Sequence, residues 1–173
     1  AYVSLVRRAQ VEAGEWVLVH GAAGGVGLAA VDLAKHLGCK VIAASASDEK
    51  LAIIAKEYAP DAIVNVTGGF RERVKEITGG RGADVIYDPV GGDVFDESVR
   101  CIAPNGRLLS IGFASGRIPV LPVNLALIKT FSLVGVRAVA CATRGTRTST
   151  RPGRSCRVRR CPAEPNGPSS RES

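Results

Sequence analysis

The sequence predicts an α/β fold of the Rossmann type, a doubly wound parallel sheet of six strands, followed by a disordered C-terminal tail. Short β-rich runs alternate with segments of helical periodicity, a glycine-rich turn joins the first run to the first helix, and the composition changes abruptly after residue 138. Parallel strands are covered on both faces by their crossover helices, so their sequences are almost continuously apolar. With 173 residues, 46% of them apolar, the chain is large enough for one domain with a substantial core.

The strands and helices follow from turn signals and apolar periodicity. Ser47 and Asp48 open the second helix, Gly38 closes the first, and Gly79 and Gly80 close the third. The predicted strands are Trp16–Val19, Val41–Ala44, Ala62–Asn65, Val85–Tyr87, Leu108–Ile111 and Ser132–Val136. The predicted helices are Gly25–Leu37, Asp48–Tyr58, Phe70–Thr78, Asp93–Cys101 and Leu125–Lys129.

Residues 1–10 predict a further short helix in front of the sheet domain. Val3 and Val6 would share its apolar face, with Tyr2 beside them. Because this helix begins without a capping residue, we expect it to lead from a preceding segment. The dinucleotide-binding domain itself is expected to span residues 11–137.

The basic charge of the chain is concentrated in residues 138–173. Eight arginines and two glutamates there contribute +6 of the net charge of +7, so the remaining residues are nearly neutral. The segment has no Leu, Ile, Phe, Tyr or Trp, and it cannot bury enough apolar surface to offset an ordering entropy of about 1–2 kcal/mol per residue. We therefore predict a disordered tail. Nucleic-acid binding through its arginines is an alternative function, which the lack of aromatic residues among them disfavours.

Composition also bears on the compartment and on metals. The sequence shows neither a membrane span nor a secretory signal. Its five cysteines are odd in number and irregularly spaced, which favours a reducing compartment over a disulfide framework. A cytoplasmic location is expected, with a mitochondrial one as the alternative. Cys156 and Cys161 have no histidine or second cysteine pair beside them, so no metal site is predicted.

The glycine-rich turn of residues 21–27 is the strongest functional signal, because it lies between a buried strand and a helix. In such a turn, glycine lets the chain bend sharply, lets the backbone approach a phosphate, and lets helix and strand pack closely. The free N–H groups at the helix N-terminus then attract an anion. Gly24, Gly25, Val26 and Gly27 are the predicted pyrophosphate-binding residues. Alanine replaces the first glycine of Gly-x-Gly-x-x-Gly, and the alternative is a purely structural turn.

The end of the second strand favours NADPH over NADH. An NAD-binding site usually places Asp or Glu there to bind the ribose hydroxyls, whereas this chain has Ser45, Ser47 and, on the following helix, Lys50. The serine hydroxyls can donate hydrogen bonds to a 2′-phosphate and the lysine can supply charge. Asp48 lies between them and weakens this interpretation. The alternative is that the serines only cap the helix and the lysine is solvated.

Two further loops leave the carboxyl ends of strands, where ligands bind in open parallel sheets. Asp88, Val90 and Gly91 follow the fourth strand and are predicted to lie on the adenosine side of the cofactor. Gly112 and Phe113 follow the fifth strand and are predicted to lie on the nicotinamide side. Both loops have an alternative interpretation as ordinary turns, in which the aspartate before proline caps the turn.

No catalytic residue is identified from the sequence. His20 precedes the glycine turn and His36 lies late in a helix, and both are interpreted as structural. The sequence shows no Ser-His-Asp order, no paired carboxylates and no cluster of metal ligands.

Several motifs together resemble one known family. The chain is similar to the zinc-independent quinone oxidoreductase (zeta-crystallin) branch of the medium-chain dehydrogenase/reductase superfamily over residues 1–137. The motifs that carry this resemblance are Val-His-Gly-Ala-Ala-Gly-Gly-Val-Gly at 19–27, Ile-Thr-Gly-Gly-Arg-Gly-Ala-Asp-Val at 77–85, Tyr-Asp-Pro-Val-Gly-Gly at 87–92, Gly-Arg at 106–107, Ile-Gly-Phe-Ala-Ser-Gly at 111–116 and Val-Gly-Val at 134–136.

The resemblance implies NADPH-dependent hydride transfer to quinones or other activated enones, in a homodimer paired through the last strand. Residues 24–27 match the family's pyrophosphate turn, and Ser45 and Lys50 match its 2′-phosphate positions. Val66 stands near the place where relatives often carry a tyrosine against the adenosine phosphate.

The resemblance also implies that an active site needs more than this chain. Family members are longer, and a GroES-like N-terminal domain and a C-terminal return segment complete their cleft. We therefore expect this chain to be incomplete for catalysis. The alternative is a non-catalytic NADPH-binding module. A zinc alcohol dehydrogenase relative is disfavoured, because the sequence lacks the four-cysteine lobe.

Overall fold

A computed structural model describes residues 1–137, and the predicted disordered tail lies outside the described residues. The six strands form one parallel sheet in the order β3-β2-β1-β4-β5-β6, which confirms the predicted fold class. The strands are β1 (Trp16–Val19), β2 (Lys40–Ser45), β3 (Ala62–Asn65), β4 (Ala83–Asp88), β5 (Ile102–Ser110) and β6 (Ser132–Gly135). The helices are α1 (Gly25–His36), α2 (Asp48–Tyr58), α3 (Arg71–Ile77), α4 (Gly92–Cys101) and α5 (Val123–Lys129), preceded by a π-helix at Val3–Ala9.

The sheet is buried on both faces, and alternation along a single strand shows why. In β1, Val17 and Val19 belong to the core on one face, whereas Leu18 belongs to the core on the other. The first core is closed by the π-helix, α1 and α2, and the second by α3, α4 and α5. Because both faces of β1 need apolar side chains, the strand is a continuous apolar run.

Most predicted boundaries agree with the structure to within two residues, but the start of β5 was wrong. The strand begins at Ile102, six residues before the predicted start at Leu108. Ile102 pairs with Ala83 and the next paired residue is Arg107, so a bulge interrupts the strand. Asn105 within the bulge has a φ of 61°, which is turn geometry and hid the strand from pattern analysis.

Residues 1–10 contain a helix of the π type, and its buried face differs from the predicted one. Tyr2 is 57% exposed, whereas Ser4, Leu5 and Ala9 are buried against the sheet. The side chain of Arg107 on β5 holds the end of this helix by donating to the carbonyl oxygen of Ala9 at 2.8 Å. It also pairs with Glu15 ahead of β1.

Gly27 permits the close packing of α1 against the turn that follows β1. A methyl group added at Gly27 would lie 2.2 Å from the carbonyl oxygen of Gly21 and 2.9 Å from the Cα of Ala22. A methyl group added at Gly25, two residues earlier, would meet no atom within 4 Å. Gly27 is therefore required for packing of the helix against the turn, whereas Gly25 is not.

Gly27→Ala should lower the free energy of unfolding by about 3 kcal/mol, because the added methyl group collides with backbone that cannot move aside. Gly25→Ala is the matched control and should change stability by less than about 1 kcal/mol, since its methyl group enters open space. Urea unfolding followed by circular dichroism measures both. Equal stability of the two variants would contradict the packing role.

No helix within residues 1–137 combines the length and the apolar character needed to cross a membrane.

Candidate functional site

The strand order creates a crevice between β1 and β4. These neighbouring strands are followed by α1 and α4, which pack on opposite faces of the sheet. The two connections therefore diverge toward opposite faces at the carboxyl edge, which makes this position the switch point of the sheet. Ligands of open α/β sheets bind at such a switch point.

The N-terminus of α1 opens into this crevice without a protein cap. Gly24, the N-cap residue, makes no side-chain capping bond. Among residues 1–137, no acceptor takes the backbone N–H groups of Gly25, Val26 or Gly27. Gly24, Gly25 and Val26 are exposed, whereas Gly27 is buried beneath the turn. Free N–H groups and the helix dipole at one exposed helix end are suited to an anion.

The predicted groups at the end of β2 lie together, and two of them also support α2. Ser47 caps α2 by accepting a hydrogen bond from the backbone N–H of Lys50 at 3.3 Å. The hydroxyl oxygen of Ser45 accepts from the N–H of Ser47 at 3.4 Å. Both hydroxyls act as acceptors here, so their protons remain available to a ligand. Lys50 is exposed and forms no ion pair with any residue in the range 1–137.

Asn65, at the end of β3, was missed by sequence analysis. It pairs in register with Ser45 on β2. Its Nδ2 donates to Asp48 Oδ1 at 2.7 Å, and its Oδ1 accepts from the N–H of Thr67 at 2.8 Å. The backbone contact fixes which end of the amide faces the carboxylate. An asparagine ending a strand resembles any turn residue, and only the register between strands reveals its partner.

The buried side chain of Asp88 stabilises the β4–α4 loop through hydrogen bonds to the loop backbone. Its side chain is 1% exposed, and its Oδ1 accepts from the N–H groups of Val90 at 2.8 Å and Gly91 at 2.9 Å. Burial raises the pKa of Asp88, although these two hydrogen bonds act in the opposite direction. The carboxylate is thus directed at its own loop, as in the turn-capping interpretation.

The β5–α5 loop lies directly against the β4–α4 loop. Ala114 and Ser115 donate backbone hydrogen bonds to the carbonyl oxygens of Pro89 at 3.1 Å and Val90 at 2.9 Å. A methyl group added at Gly91 would lie 3.0 Å from the ring of Phe113, and one added at Gly112 would lie 3.3 Å from the carbonyl oxygen of Pro89. The structure therefore brings together the predicted site residues of the two loops. Phe113 remains 44% exposed.

His20 lies behind the glycine turn and is buried, in agreement with a structural role. Its Nε2 is 2.8 Å from the hydroxyl oxygen of Ser98, which itself donates to the carbonyl oxygen of Val94. Ser98 must therefore accept from the histidine, which assigns the ring proton to Nε2. Burial lowers the pKa of His20 from 6.5 to about 3, so the ring is neutral at physiological pH.

A neutral buried histidine makes stability depend on pH. The unfolded chain takes up a proton at His20 below its ordinary pKa of 6.5, whereas the folded chain does so only near pH 3. The contribution of neutral His20 to the free energy of unfolding is therefore fully present above pH 6.5 and is lost progressively as the pH falls toward 3. By linkage, the loss at pH 5 amounts to about 2 kcal/mol.

His20→Gln should remove this part of the pH dependence between pH 7 and pH 5, while lowering stability at pH 7 through lost packing. His36→Gln is the control, because His36 is exposed. Urea unfolding at both pH values gives the comparison. If the stability of both variants fell by the same amount on acidification, His20 would not be the titrating group.

Cavity size alone does not identify the site. A cleft of about 640 Å³ lies between the β3–α3 loop and α4, with arginine and carboxylate side chains along it. None of the predicted cofactor residues lines this cleft. Within residues 1–137, no group of three or more His, Cys, Asp or Glu side chains is placed to hold a metal ion.

A parallel sheet in this order, with an uncapped glycine turn at its switch point, defines a dinucleotide-binding domain. A family model described as "Zinc-binding dehydrogenase" matches residues 25–148. The chain belongs to this family, and it corresponds to the cofactor-binding part of a quinone oxidoreductase-like member of the medium-chain dehydrogenase/reductase superfamily.

Individual relatives agree with this assignment. The chain is 47% identical over 137 residues to a quinone oxidoreductase-like protein 2 homolog of Nematostella vectensis, a match that covers 79% of this chain and 37% of the relative. It is 42% identical over 107 residues to a 2-haloacrylate reductase of Burkholderia, covering 62% of this chain and 32% of that one. A mycobacterial protein solved as a complex with NADPH has a TM-score of 0.68 and 36% identity, and the match covers 73% of this chain and 40% of that one. The chain thus spans less than half the length of these relatives.

Proposed function

We propose that this chain binds NADPH and forms the cofactor half of an enzyme that transfers hydride to a quinone or another activated enone. The observation that carries the proposal is the uncapped N-terminus of α1 at the switch point between β1 and β4, where the N–H groups of Gly25, Val26 and Gly27 have no acceptor among residues 1–137. A pyrophosphate at this point would accept hydrogen bonds from groups that have no partner within residues 1–137. The NADPH complex of the mycobacterial relative supports the choice of ligand.

The end of β2 supports NADPH over NADH. Ser45 occupies the strand end, where a carboxylate would select ribose hydroxyls. In our proposal, the hydroxyls of Ser45 and Ser47 donate to the 2′-phosphate, and the exposed ammonium group of Lys50 supplies the opposite charge. These groups all lie near the carboxyl end of β2, the strand next to β1.

The β5–α5 loop would flank the nicotinamide. When bound, NADPH supplies a hydride that adds to an electron-poor double bond. The chain's own contribution is to hold the cofactor: the backbone at Gly112 and the exposed ring of Phe113 would line the space beside the nicotinamide. Hydride transfer also needs the substrate held close with water excluded. We propose that residues outside this chain hold the substrate against the nicotinamide and exclude water from it.

A substrate with an activated double bond agrees with the relatives. One carries the name quinone oxidoreductase-like and another is a 2-haloacrylate reductase. Quinones and haloacrylates share an electron-poor C=C bond conjugated to a carbonyl group. We propose that the substrate of the complete enzyme has this feature.

Calorimetric titration of the 173-residue chain tests the cofactor proposal. NADPH should bind at least about fivefold more tightly than NADH, since charge-assisted hydrogen bonds contribute about 1.5–3 kcal/mol. Gly25→Val should weaken NADPH binding at least about tenfold, because its side chain would fill the space in front of the free N–H groups. Ala29→Val adds the same side-chain type at an exposed position of α1, outside the turn, and should bind as the wild type does. Unchanged affinity in Gly25→Val would reject the proposed phosphate site.

We further propose that the chain forms a homodimer through β6. This strand is one of the two edges of the sheet, and Leu133 on it is 45% exposed. The connection that leads to β6 has further large apolar side chains in solvent. Within residues 1–137 no further strand pairs with β6, although Arg8 donates to the carbonyl oxygen of Gly135. An edge strand with apolar surroundings is suited to pairing with a second copy. The exposed residues in this connection are Ile118, Val120, Val123, Leu127 and Ile128.

Leu133→Lys should shift the chain from dimer to monomer, raising the dissociation constant at least about tenfold, because it places charge at the centre of the edge. Ile53→Lys is the control, at a large apolar residue on α2 that is 61% exposed. Sedimentation equilibrium measures the change. A wild-type chain that is monomeric at high concentration would overturn the dimer proposal.

A further inference from the structure

The pair formed by Asp48 and Asn65 lies at the place where the proposed 2′-phosphate would bind. We infer that Asn65 is a specificity-determining residue: by holding the Asp48 carboxylate toward β3, it keeps the position beside Ser45 open to a phosphate. The inference rests on the proposed function, and it concerns a contact that sequence analysis did not anticipate.

The position of the pair follows from strand register. Ser45 ends β2, Asn65 ends β3, and the two residues are partners on adjacent parallel strands. Side chains of such partners project on the same face of a sheet. Asp48 is the first residue of α2, and its Oδ1 lies 2.7 Å from Nδ2 of Asn65. The carboxylate is therefore a close neighbour of the proposed phosphate-binding hydroxyl.

The orientation of the Asn65 amide is fixed on both sides. Oδ1 accepts from the N–H of Thr67 at 2.8 Å, which leaves Nδ2 as the group facing Asp48. The donor thus points toward a carboxylate instead of toward the crevice. An amide locked by backbone holds its partner in one place at little cost in side-chain entropy.

Without this donor, the Asp48 carboxylate would be free to rotate. It is exposed and lies on the first turn of α2, beside the hydroxyls of Ser45 and Ser47. A negative group there would compete with the 2′-phosphate for the same donors and would repel it. Held by Asn65, the carboxylate is turned toward β3 and one of its oxygen atoms accepts a hydrogen bond from the amide.

A competing role for Asp48 is to bind the ribose hydroxyls, as a carboxylate at a strand end does in NAD-binding sites. The two roles predict different effects on a ligand that lacks the 2′-phosphate. In the competing role, loss of the carboxylate weakens binding of a ribose without phosphate. In ours, loss of the carboxylate leaves that binding unchanged.

The test is a double-mutant cycle on the 173-residue chain, with 2′,5′-ADP and 5′-AMP as probes in calorimetric titration. These probes carry only the adenosine half of the cofactor, so the result does not depend on catalysis. Asn65→Ser is the informative variant: its hydroxyl can still accept from the N–H of Thr67, but it is too short to reach Asp48. Asp48→Asn removes the charge, and Glu49→Gln makes the same charge change at the adjacent exposed residue as a control.

Asn65→Ser should weaken binding of 2′,5′-ADP about fivefold to tenfold and change binding of 5′-AMP less than about twofold. Asp48→Asn alone should change neither ligand by more than about twofold, and combined with Asn65→Ser it should restore 2′,5′-ADP binding. Glu49→Gln combined with Asn65→Ser should not restore it. Melting temperatures confirm that each variant is folded.

Three outcomes would overturn the inference. Equal weakening of both probes by Asn65→Ser would show a structural role, and failure of Asp48→Asn to rescue would show that the carboxylate is not the competitor. Selective loss of 5′-AMP binding in Asp48→Asn would assign Asp48 to the ribose. If the wild-type chain bound neither probe, the proposed function itself would be wrong, and the inference would fall with it.

Discussion

The approach of α1 to the turn after β1 is the constraint on which the site depends. The backbone of α1 packs directly against the backbone of Gly21, and this contact leaves no room for a β-carbon at position 27. This contact fixes the N-terminus of α1 at the switch point between β1 and β4, where three backbone N–H groups have no acceptor among residues 1–137. The same turn thus couples the packing of the fold to the position of the proposed phosphate site. Gly25 at its surface has the opposite environment, open space, which is what an incoming ligand requires.

The sheet was predictable because its strands are buried on both faces. A run such as Trp16–Val19 has few other structural interpretations when a glycine turn and a helical pattern follow it. The start of β5 was missed because a bulge places turn residues inside the strand. The face of the π-helix was also missed. The prediction placed Val3 and Val6 on the buried face, whereas the structure buries Ser4, Leu5 and Ala9. Arg107, which anchors the helix end, lies 98 positions away from Ala9 along the chain.

The candidate site divides in the same way. The glycines, the serines and Lys50 could be predicted as candidates from the sequence, because they follow one another in local order: strand, turn, helix, then polar groups at the next strand end. The partnership of Asp48 with Asn65 is not local, since it depends on how β2 and β3 align. From the sequence alone, Asp48 counts against a phosphate, because the partner of its carboxylate is apparent only once β2 and β3 are aligned.

The hydrogen bonds between the β4–α4 and β5–α5 loops constrain how this family member can change in length. Ala114 and Ser115 pair with successive carbonyl groups at Pro89 and Val90, and Gly92 donates to the carbonyl oxygen of Arg117. An insertion of one residue among these positions would put the hydrogen bonds between the two loops out of register. It would also move Phe113 away from Gly91. The two loops, separated by a helix and a strand in sequence, therefore tolerate insertions and deletions only when both change together.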